Sequence, residues 1–378
     1  MHPLIRSGIA TAALLAVPMA QAAPNTFNDP IDVAAPASTA AARDMLVGGE
    51  RTPDGRLVVV GRRGVILTSD PDGARWKQSK VPVSTDLLAA SFPTALKGWA
   101  VGHAGVVLHT SDGGLSWTRQ VDGRALPDLM IRHSKARAEA GDERAQHELK
   151  EAQRYKEDGP SRPLFDVYFS DDARGIVVGA YNLALRTDDG GRSWLPISDR
   201  IDNPQGLHLY GIAQVDGVLW IAGEQGLVLR QDAGTGRFVR VPLPYAGTLF
   251  GITGNAGEVL VFGLRGNAWR SRDGGANWSR LDTGIEGHLT AGAILAGGRV
   301  VLTSLGGELI ESRDGERFRK VPLARTAPLY GVSAASDGKL LLTGARGVHL
   351  ATVEASGAVH HTPALAARAG KSASREAR

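Results

Sequence analysis

The chain has 378 residues, a formal net charge of +4 at pH 7 and no cysteine. Without cysteine it forms no disulfide, carries out no thiolate chemistry and has no cysteine ligand for a metal. A positive charge this small on a chain of this length does not indicate nucleic-acid binding, and it favours acidic partners only weakly.

The first 22 residues have the pattern of a secretory signal peptide. Arg6 precedes a short apolar run that ends at Ala20, and small residues follow it. The run is shorter than the roughly 20 apolar residues of a membrane-spanning helix. We therefore expect residues 1–22 to direct export to the periplasm and no part of the mature chain to insert into a membrane. Residues 23–43, rich in Ala, Pro, Asn and Thr, are predicted to be a linker.

A short turn motif returns along the chain. Residues 110–117 read TSDGGLSW, and the same spacing returns in residues 187–194 and 271–278 and, with one-residue slips, at three other places. In this Asp box the carboxylate can accept backbone N–H bonds, Gly permits a positive φ, and the aromatic ring packs over the turn. We predict structural turns between strands, with the aspartates Asp70, Asp112, Asp189, Asp232, Asp273 and Asp314.

The distance between repeats predicts the fold. An apolar segment ending in a small residue, usually Gly, returns at intervals of roughly 40 residues, with one interval nearly twice as long. Each repeat offers four short strand-like segments, which is the signature of a propeller blade. We predict an all-β fold, a seven-bladed β-propeller of four-stranded blades, over residues 44–363, and a disordered tail over residues 364–378. The predicted innermost strands begin at Leu87, Leu164, Leu209, Leu249, Leu289 and Leu329.

One insertion, residues 122–162, interrupts the repeats. It is dense in helix formers from Ser134 to Glu157, and Ser134 is a suitable N-cap. Its apolar stripe is thin and Gly141 is a weak point, so we predict one charged helix that lies against the propeller. Two interpretations stay open: a solvated excursion, or a docking arm for a partner.

The turns between second and third strands carry the candidate binding residues. In a propeller these turns share one end of the ring with the links between blades, and the Asp boxes lie at the other end. Three of the seven turns contain arginine, whose planar guanidinium suits carboxylates, although arginine also simply solubilises turns. We predict a basic face for an acidic protein segment or a C-terminal carboxylate. The candidate residues are Arg62, Arg63, His103, Tyr181, Glu224, Gln225, Arg265 and Arg346.

Asp boxes also occur in sialidases and other glycoside hydrolases, so hydrolysis is the alternative function. The turn arginines could bind a substrate carboxylate, with Tyr181 and Glu224 as nucleophile and partner. No turn supplies the acid, and Asp86 and Asp166 are the only acidic candidates at the entry to a blade. We therefore predict no enzymatic activity. A carbohydrate-binding propeller requires exposed aromatic platforms, and among the turns Tyr181 is the single example.

Metal and cofactor motifs are absent from the sequence. His147 and Glu148 are not followed by the second histidine of an HExxH helix, and there is no GxxxxGK[ST] phosphate loop. We expect no metal, no cofactor and a monomer.

Repeats such as VVGRRGVILTSD and WAVGHAGVVLHTSDGGLSW, with the exported leader and the arginine-bearing turns, resemble the photosystem II stability/assembly factor family over about residues 43–363. The resemblance implies a non-enzymatic seven-bladed propeller that binds membrane-protein subunits on the lumenal or periplasmic side during assembly, through a basic patch. It implies that relatives in non-photosynthetic bacteria accompany exporters of the resistance-nodulation-division superfamily. By this resemblance Arg63, Arg265 and Arg346 are the best patch candidates. The long insertion departs from the family and favours a client other than a photosystem.

Overall fold

The computed structural model describes residues 27–255, 257–323, 326–336, 338–353, 359–363 and 365–366. The predicted signal peptide lies outside the described residues. So does the predicted tail, apart from Leu365 and Ala366, which form a strand.

Strands dominate the described residues and form seven antiparallel sheets, here called blades 1 to 7 in chain order. Four strands form each blade: β1 (Leu46–Arg51), β2 (Leu57–Gly61), β3 (Ile66–Ser69) and β4 (Arg75–Gln78); β5 (Leu87–Ser91), β6 (Gly98–Gly102), β7 (Val107–Thr110) and β8 (Thr118–Val121); β9 (Leu164–Phe169), β10 (Gly175–Gly179), β11 (Ala184–Thr187) and β12 (Leu195–Pro196); β13 (Leu209–Val215), β14 (Val218–Gly223), β15 (Val228–Gln231) and β16 (Phe238–Arg240); β17 (Leu249–Asn255), β18 (Glu258–Gly263), β19 (Ala268–Ser271) and β20 (Ser279–Leu281); β21 (Leu289–Ile294), β22 (Val300–Ser304), β23 (Leu309–Ser312) and β24 (Arg319–Val321); β25 (Leu329–Ala334), β26 (Lys339–Gly344), β27 (Gly347–Val353) and β28 (Val359–Pro363). A last strand, β29 (Leu365–Ala366), pairs in parallel with β4. The predicted all-β fold of seven four-stranded blades is confirmed.

The first strand of each blade lies innermost, and these seven strands contact one another around the ring. The ring closes where β25 of blade 7 meets β1 of blade 1. There the Thr343 hydroxyl donates to the Val47 carbonyl oxygen over 2.9 Å. Six of the inner strands begin at the leucines predicted from the sequence. Closure therefore joins two complete blades, and it leaves a central channel surrounded by the inner strands.

The second strand of each blade is buried because neighbouring blades cover both of its faces. All five residues of β2 are buried, as are all five of β6. Burial of each large apolar side chain contributes about 1.5–3 kcal/mol, so the interfaces between blades supply most of the stabilisation. Packing is tight where the second strand ends: a Cβ on Gly102 would lie 2.2 Å from the Asp86 carbonyl oxygen.

Each Asp box lies between the third and fourth strand of a blade. In blade 2 the Asp112 Oδ1 accepts hydrogen bonds from the Thr110 hydroxyl over 2.7 Å and from the Ser116 backbone N–H over 3.0 Å. The indole N–H of Trp117 donates to the Gly114 carbonyl oxygen over 3.2 Å, which places the ring over the turn. The six aspartates at this position are Asp70, Asp112, Asp189, Asp232, Asp273 and Asp314.

The insertion contains two helices, α1 (Leu126–Glu139) and α2 (Glu143–Asp158), so the prediction of a single helix from Ser134 to Glu157 is wrong. Gly141 adopts a φ of +89°, which reverses the chain. Asp142 then caps α2, because its carboxylate accepts the Ala145 backbone N–H over 3.1 Å. The residue that we regarded as a weak point in one helix is therefore the turn between two.

The helical hairpin is fixed to the propeller. Ser134, which we predicted to be an N-cap, lies inside α1 and is buried. Leu126 and Tyr155 pack into a hydrophobic cluster with residues of blades 2 and 3. The Arg144 guanidinium donates to the Ser198 and Ile201 carbonyl oxygens, each over 2.7 Å. These contacts hold the hairpin against the wall of the ring.

The described part of the segment predicted to be a linker also packs on the propeller. Ile31 is 1% exposed and lies in a hydrophobic cluster with residues of blades 1 and 2. The Ala35 backbone N–H donates to the Val81 carbonyl oxygen over 3.0 Å. None of the helices in the described ranges is long and apolar enough to span a bilayer.

Candidate binding face

One end of the ring, which we call the turn face, is formed by the turns between second and third strands. In blades 1 to 5 each is a tight three-residue turn: Arg62–Gly64, His103–Gly105, Ala180–Asn182, Glu224–Gly226 and Leu264–Gly266. In blades 6 and 7 residues 305–307 and 345–346 occupy the same place. The links between blades lie at this end as well, because the Gly123 N–H next to the hairpin donates to the Ala104 carbonyl oxygen over 2.7 Å.

The middle residue of the turn has a positive φ in five blades. The values lie between 52° and 56° for Arg63, Ala104, Tyr181, Gln225 and Arg265. This left-handed conformation costs a residue with a side chain about 1–2 kcal/mol, and a bulky residue there is uncommon. A two-residue hairpin turn requires a positive φ at both central residues, and the residue that follows the middle one also has a positive φ in all five blades. Because four of the five side chains are large and exposed, this end of the ring is the best candidate for a binding surface.

The residue that precedes the next inner strand fixes three of these turns. In blade 1 the Arg63 backbone N–H donates to Asp86 Oδ1 over 2.8 Å, and the Arg62 guanidinium lies 4.0 Å from the same carboxylate. Both arginine side chains remain exposed. Asp86 therefore fixes the turn and offsets part of its positive charge.

Two histidines fix turns on the other side of the ring, as Asp86 fixes the turn of blade 1. The Tyr181 backbone N–H donates to His208 Nδ1 over 3.1 Å, and the Arg265 backbone N–H donates to His288 Nδ1 over 3.3 Å. Both histidines stand directly before an inner strand and are half-buried. Sequence reasoning missed them, although their position before the leucine of the repeat was visible.

All eight predicted binding residues lie on the turn face. Seven are exposed, and Glu224 is half-buried. The arginines lie on blades 1, 5 and 7. Because the ring closes between blades 7 and 1, Arg346 lies on the blade next to the one that carries Arg62 and Arg63. Arg265 lies two blades away from Arg346. The positions are Arg62 and Arg63 in blade 1, His103 in blade 2, Tyr181 in blade 3, Glu224 and Gln225 in blade 4, Arg265 in blade 5 and Arg346 in blade 7.

An open cleft of about 510 Å³ lies beside the turn of blade 1. Arg62 and Arg63 line one side, and residues 36–38 with Asp44 and Met45 line the other. The cleft thus combines two exposed guanidinium groups with a wall of ordered N-terminal chain. Sequence reasoning missed this wall because it treated the segment as a linker.

The Tyr181 ring is connected to the helical hairpin through Arg162. Its ring is 57% exposed and lies 5.1 Å from the guanidinium carbon of Arg162. The same guanidinium lies 4.6 Å from the ring of Tyr155 in α2. Arg162 is buried between the two rings and stabilises both through cation–π contacts. The insertion therefore contributes to the shape of the turn face at blade 3.

The acidic residues considered for hydrolysis serve the fold. Asp86 holds the turn of blade 1, and Glu224 Oε2 accepts the His208 backbone N–H over 2.9 Å. Asp166 Oδ2 accepts the Ile212 backbone N–H over 2.8 Å and joins two inner strands. Burial raises the pKa of Asp166 to about 6. Each carboxylate is thus already engaged by backbone amides.

A ring of mostly apolar side chains lies at the mouth of the central channel, next to the turn face. Every inner strand has an irregularity at its second residue, where pairing with the second strand shifts by one. Such a β-bulge re-aims its side chain. We call these seven half-buried residues the collar: Val47, Leu88, Phe165, Tyr210, Phe250, Thr290 and Tyr330.

The collar is most aromatic on blades 3 to 5. The rings of Phe165 and Tyr210 stack with centroids 4.8 Å apart, and Tyr210 meets Phe250 edge to face at 5.5 Å. Phe165 lies 6.0 Å from the His208 ring, and Phe250 lies 6.1 Å from the His288 ring. The histidines therefore connect the collar to the turn residues. The feature of the sequence that could have indicated the collar is the aromatic residue that directly follows the first leucine of these inner strands.

Fold and face together define a class: an Asp-box β-propeller with a strained, exposed turn face around its channel. The chain matches the family model described as photosynthesis system II assembly factor YCF48 over residues 50–133 and 158–309. It belongs to this family. The unmatched stretch between the two segments falls within the helical hairpin.

Two relatives match parts of the chain. The photosystem II assembly lipoprotein Ycf48 of Synechococcus sp. (strain CC9902) is 28% identical over 205 residues, which is 53% of this chain and 61% of the relative. The photosystem II assembly protein Ycf48 of Thermosynechococcus vestitus (strain NIES-2133 / IAM M-273 / BP-1) is 36% identical over 80 residues, 20% of this chain and 23% of the relative. The matches thus span less than two thirds of either relative.

Two solved structures share the fold. YCF48 from Cyanidioschyzon merolae superposes with a TM-score of 0.59 at 15% identity, covering 84% of this chain and 97% of the other. YCF48 bound to D1 peptide gives a TM-score of 0.61 at 17% identity, covering 82% of this chain and 93% of the other. At these identities the likeness shows the architecture.

Proposed function

We propose that this protein is a non-enzymatic assembly factor that binds a subunit of an inner-membrane protein complex through its turn face. The observation that carries the proposal is the set of exposed Arg, Tyr and Gln side chains held at positive φ on one end of the ring. The hairpin turn itself requires the positive φ, and the exposed Arg, Tyr and Gln side chains that it presents take no part in the core, so they are available to a partner. Family membership supports the same function, because the family and its matched relatives are described as assembly factors.

The chemistry of the face favours an acidic segment of the client. Arg62 and Arg63 line the cleft, and Arg346 lies on the adjacent blade. Guanidinium groups bind carboxylates through paired, charge-assisted hydrogen bonds. A YCF48 structure contains a D1 peptide, so peptide binding is compatible with this architecture. The client is a membrane subunit of photosystem type or of an exporter of the resistance-nodulation-division superfamily.

The protein acts as a monomer in the periplasm under this proposal. The N-terminal sequence has the pattern of a signal peptide, which supports a location on the outer side of the inner membrane. Export would bring the turn face to the exposed loops or termini of a membrane complex.

A pull-down from detergent-solubilised membranes tests the proposal. We expect the mature protein to recover a membrane-protein subunit, and a variant with Arg63, Arg265 and Arg346 changed to Ala to lose it. The control variant changes Arg75, Arg192 and Arg317 to Ala. Arg192 and Arg317 lie in Asp-box turns and Arg75 begins β4 directly after one, at the other end of the blades, so the control variant carries the same change in charge.

Recovery by the parent and by the control variant, with loss in the turn-face variant, supports the proposal. Equal recovery by all three proteins contradicts a role for the turn face. If the parent recovers no membrane protein, the assembly-factor function itself is wrong, and hydrolysis of sialosides and glucans becomes the next activity to test.

A further inference from the structure

The collar lies beside the turn face and is not among the candidate binding residues predicted from the sequence. Its residues do not complete the hydrophobic core, because the core clusters between blades close without them. Instead, a β-bulge in each blade turns one side chain toward the mouth of the channel. Seven bulges at one level leave an apolar and aromatic ring half-exposed beside the turn face.

Below the collar, carboxylates line the channel. Glu50 Oε2 accepts the Phe92 backbone N–H over 2.9 Å, and Asp166 bridges to Ile212 in the next blade. Burial raises the pKa of Glu50, and the charge of Asp166 raises it further. A carboxylate that entered the channel would lose its hydration and would meet the Asp166 carboxylate. The free C-terminus of a peptide is therefore disfavoured inside the channel, although the turn arginines outside attract acidic residues.

We infer that the collar receives one aromatic or large aliphatic side chain from an acidic peptide segment that lies across the turn face. This inference rests on the proposed function and adds to it the apolar side chain of the client that enters the collar, here called the anchor. The apolar ring contributes affinity by burying the anchor, and the arginines on blades 1, 5 and 7 pair with acidic residues on either side of it. Recognition is internal to the segment and does not use its terminal carboxylate.

The contacts around the collar hold it in shape before the peptide binds. Phe165, Tyr210 and Phe250 contact one another in sequence round the ring. His208 lies 6.0 Å from both Phe165 and Tyr210 and accepts the hydrogen bond of the blade 3 turn. A rigid aromatic platform reduces the entropy lost on binding. The collar and the strained turns thus form one preorganised surface.

Selection from a library of random displayed peptides tests the inference without knowledge of the client. The target is the mature full chain. We expect enriched peptides to contain one aromatic or leucine residue flanked by Asp or Glu. A fluorescent copy of the best peptide should lose about tenfold or more in affinity when that residue becomes Ser. Amidation of its C-terminus should leave the affinity unchanged.

Two protein variants complete the test. Phe250→Ala removes part of the collar, and Leu88→Trp adds bulk on the opposite side, so that one variant remains informative if the other fails to fold. Both should weaken the selected peptide about tenfold or more, while thermal unfolding and circular dichroism confirm the fold. Equal affinity of the Ser peptide, unchanged binding by both folded variants, or dependence on a free carboxylate would overturn the inference.

The membrane pull-down separates this inference from the proposed function. If Phe250→Ala and Leu88→Trp still recover the client that the turn arginines are needed for, the collar inference is wrong and the proposed function stands. If the parent recovers no client, the proposed function is wrong. The inference as a whole is supported when both collar variants and the arginine variant lose the same client.

Discussion

The backbone N–H of Tyr181 donates to Nδ1 of His208 over 3.1 Å, and the two rings meet edge to face with centroids 4.5 Å apart. Because Nδ1 accepts this bond, the ring proton of the neutral histidine lies on Nε2. Tyr181 belongs to blade 3, whereas His208 introduces blade 4. A turn of the binding face is thus held by the following blade, and the shape of the face depends on the complete ring.

The positive φ of the turn residues predicts an unusual effect of glycine. Arg265→Gly removes the side chain and relieves the left-handed strain, since glycine adopts this conformation freely. We expect the free energy of unfolding to stay the same or to rise by about 1 kcal/mol. Urea denaturation of parent and variant measures this change.

The neighbouring glycine supplies the control. A Cβ on Gly266 would lie 1.6 Å from the Ile285 carbonyl oxygen, and φ there is +67°. Gly266→Ala should therefore lower the free energy of unfolding by about 2 kcal/mol or more. A loss of more than about 1 kcal/mol in Arg265→Gly would show that the arginine serves stability, which contradicts its role as a binding residue.

The blades could be predicted from the sequence because their signals are local. The glycines that end the second strands and the Asp boxes depend on short-range backbone geometry, and each of the two features occurs six times along the chain. The collar could not be predicted by alternation alone, since a bulge shifts the side-chain pattern by one residue. Phe165 and Tyr210 were assigned to inner strands, but alternation did not indicate that their side chains would meet at the channel mouth.

The helical hairpin shows a second limit. Helix propensity placed residues 134–157 in one helix, because Gly141 alone costs only about 1 kcal/mol there. The structure contains the Asp142 cap and a buried contact for Leu126 and Tyr155, which favour a hairpin. Tertiary packing of this kind is not visible in local propensity. The binding residues are an intermediate case: the turns were found, and the histidines that hold them were not.

The Asp boxes should contribute directly to stability. The Ser193 hydroxyl donates to Asp189 Oδ2 over 2.6 Å, and its backbone N–H donates to Oδ1 over 2.9 Å. These bonds lower the pKa of Asp189 to about 2. Asp189→Ala should cost about 1–2 kcal/mol at pH 7. Asp188→Ala, beside it and exposed, should change the free energy of unfolding by no more than about 0.5 kcal/mol.

The pH dependence of this pair of variants gives a separate check. The contribution of Asp189 is complete above the ordinary aspartate pKa of 3.8 and is lost as the pH falls through about 2. The difference between parent and Asp189→Ala should therefore shrink in acid. A difference that stays constant down to pH 2 would mean that the carboxylate charge does not hold the turn.

Glu50 should have the opposite pH dependence. Burial raises its pKa from 4.5 to about 8. Between these two pH values Glu50 is protonated in the folded protein and ionised in the unfolded chain. The stability contributed by protonated Glu50 is full below pH 4.5 and falls as the pH rises through about 8. Glu50→Gln keeps an acceptor for Phe92 and carries no charge. We expect the variant to lose less stability than the parent between pH 5 and pH 9.

Denaturation midpoints at both pH values measure this effect. Glu139→Gln is the matched control, because this carboxylate is 66% exposed on α1 and should leave the pH dependence as in the parent. Identical pH dependence of Glu50→Gln and the parent would show that Glu50 is already ionised in the folded protein.

The hairpin should weaken locally when its cap is removed. Asp142 accepts the Ala145 N–H and pairs with Arg137 over 2.8 Å. Asp142→Ala should cost the hairpin about 1 kcal/mol. Hydrogen exchange should then be faster for the amides of α2 and unchanged for the inner strands, and Lys150→Ala should change neither. Unchanged exchange in α2 would contradict the capping role.

Site-specific photo-crosslinking tests whether the client binds to the turn face. A photoreactive phenylalanine analogue is placed at Gln225 on the turn face or at Arg192 in an Asp box at the other end of the ring, and each protein is exposed to native membranes under light. We expect a covalent adduct with a single membrane-protein subunit from position 225 and none from position 192. Adducts from position 192 alone, or equal adducts from both, would contradict binding through the turn face.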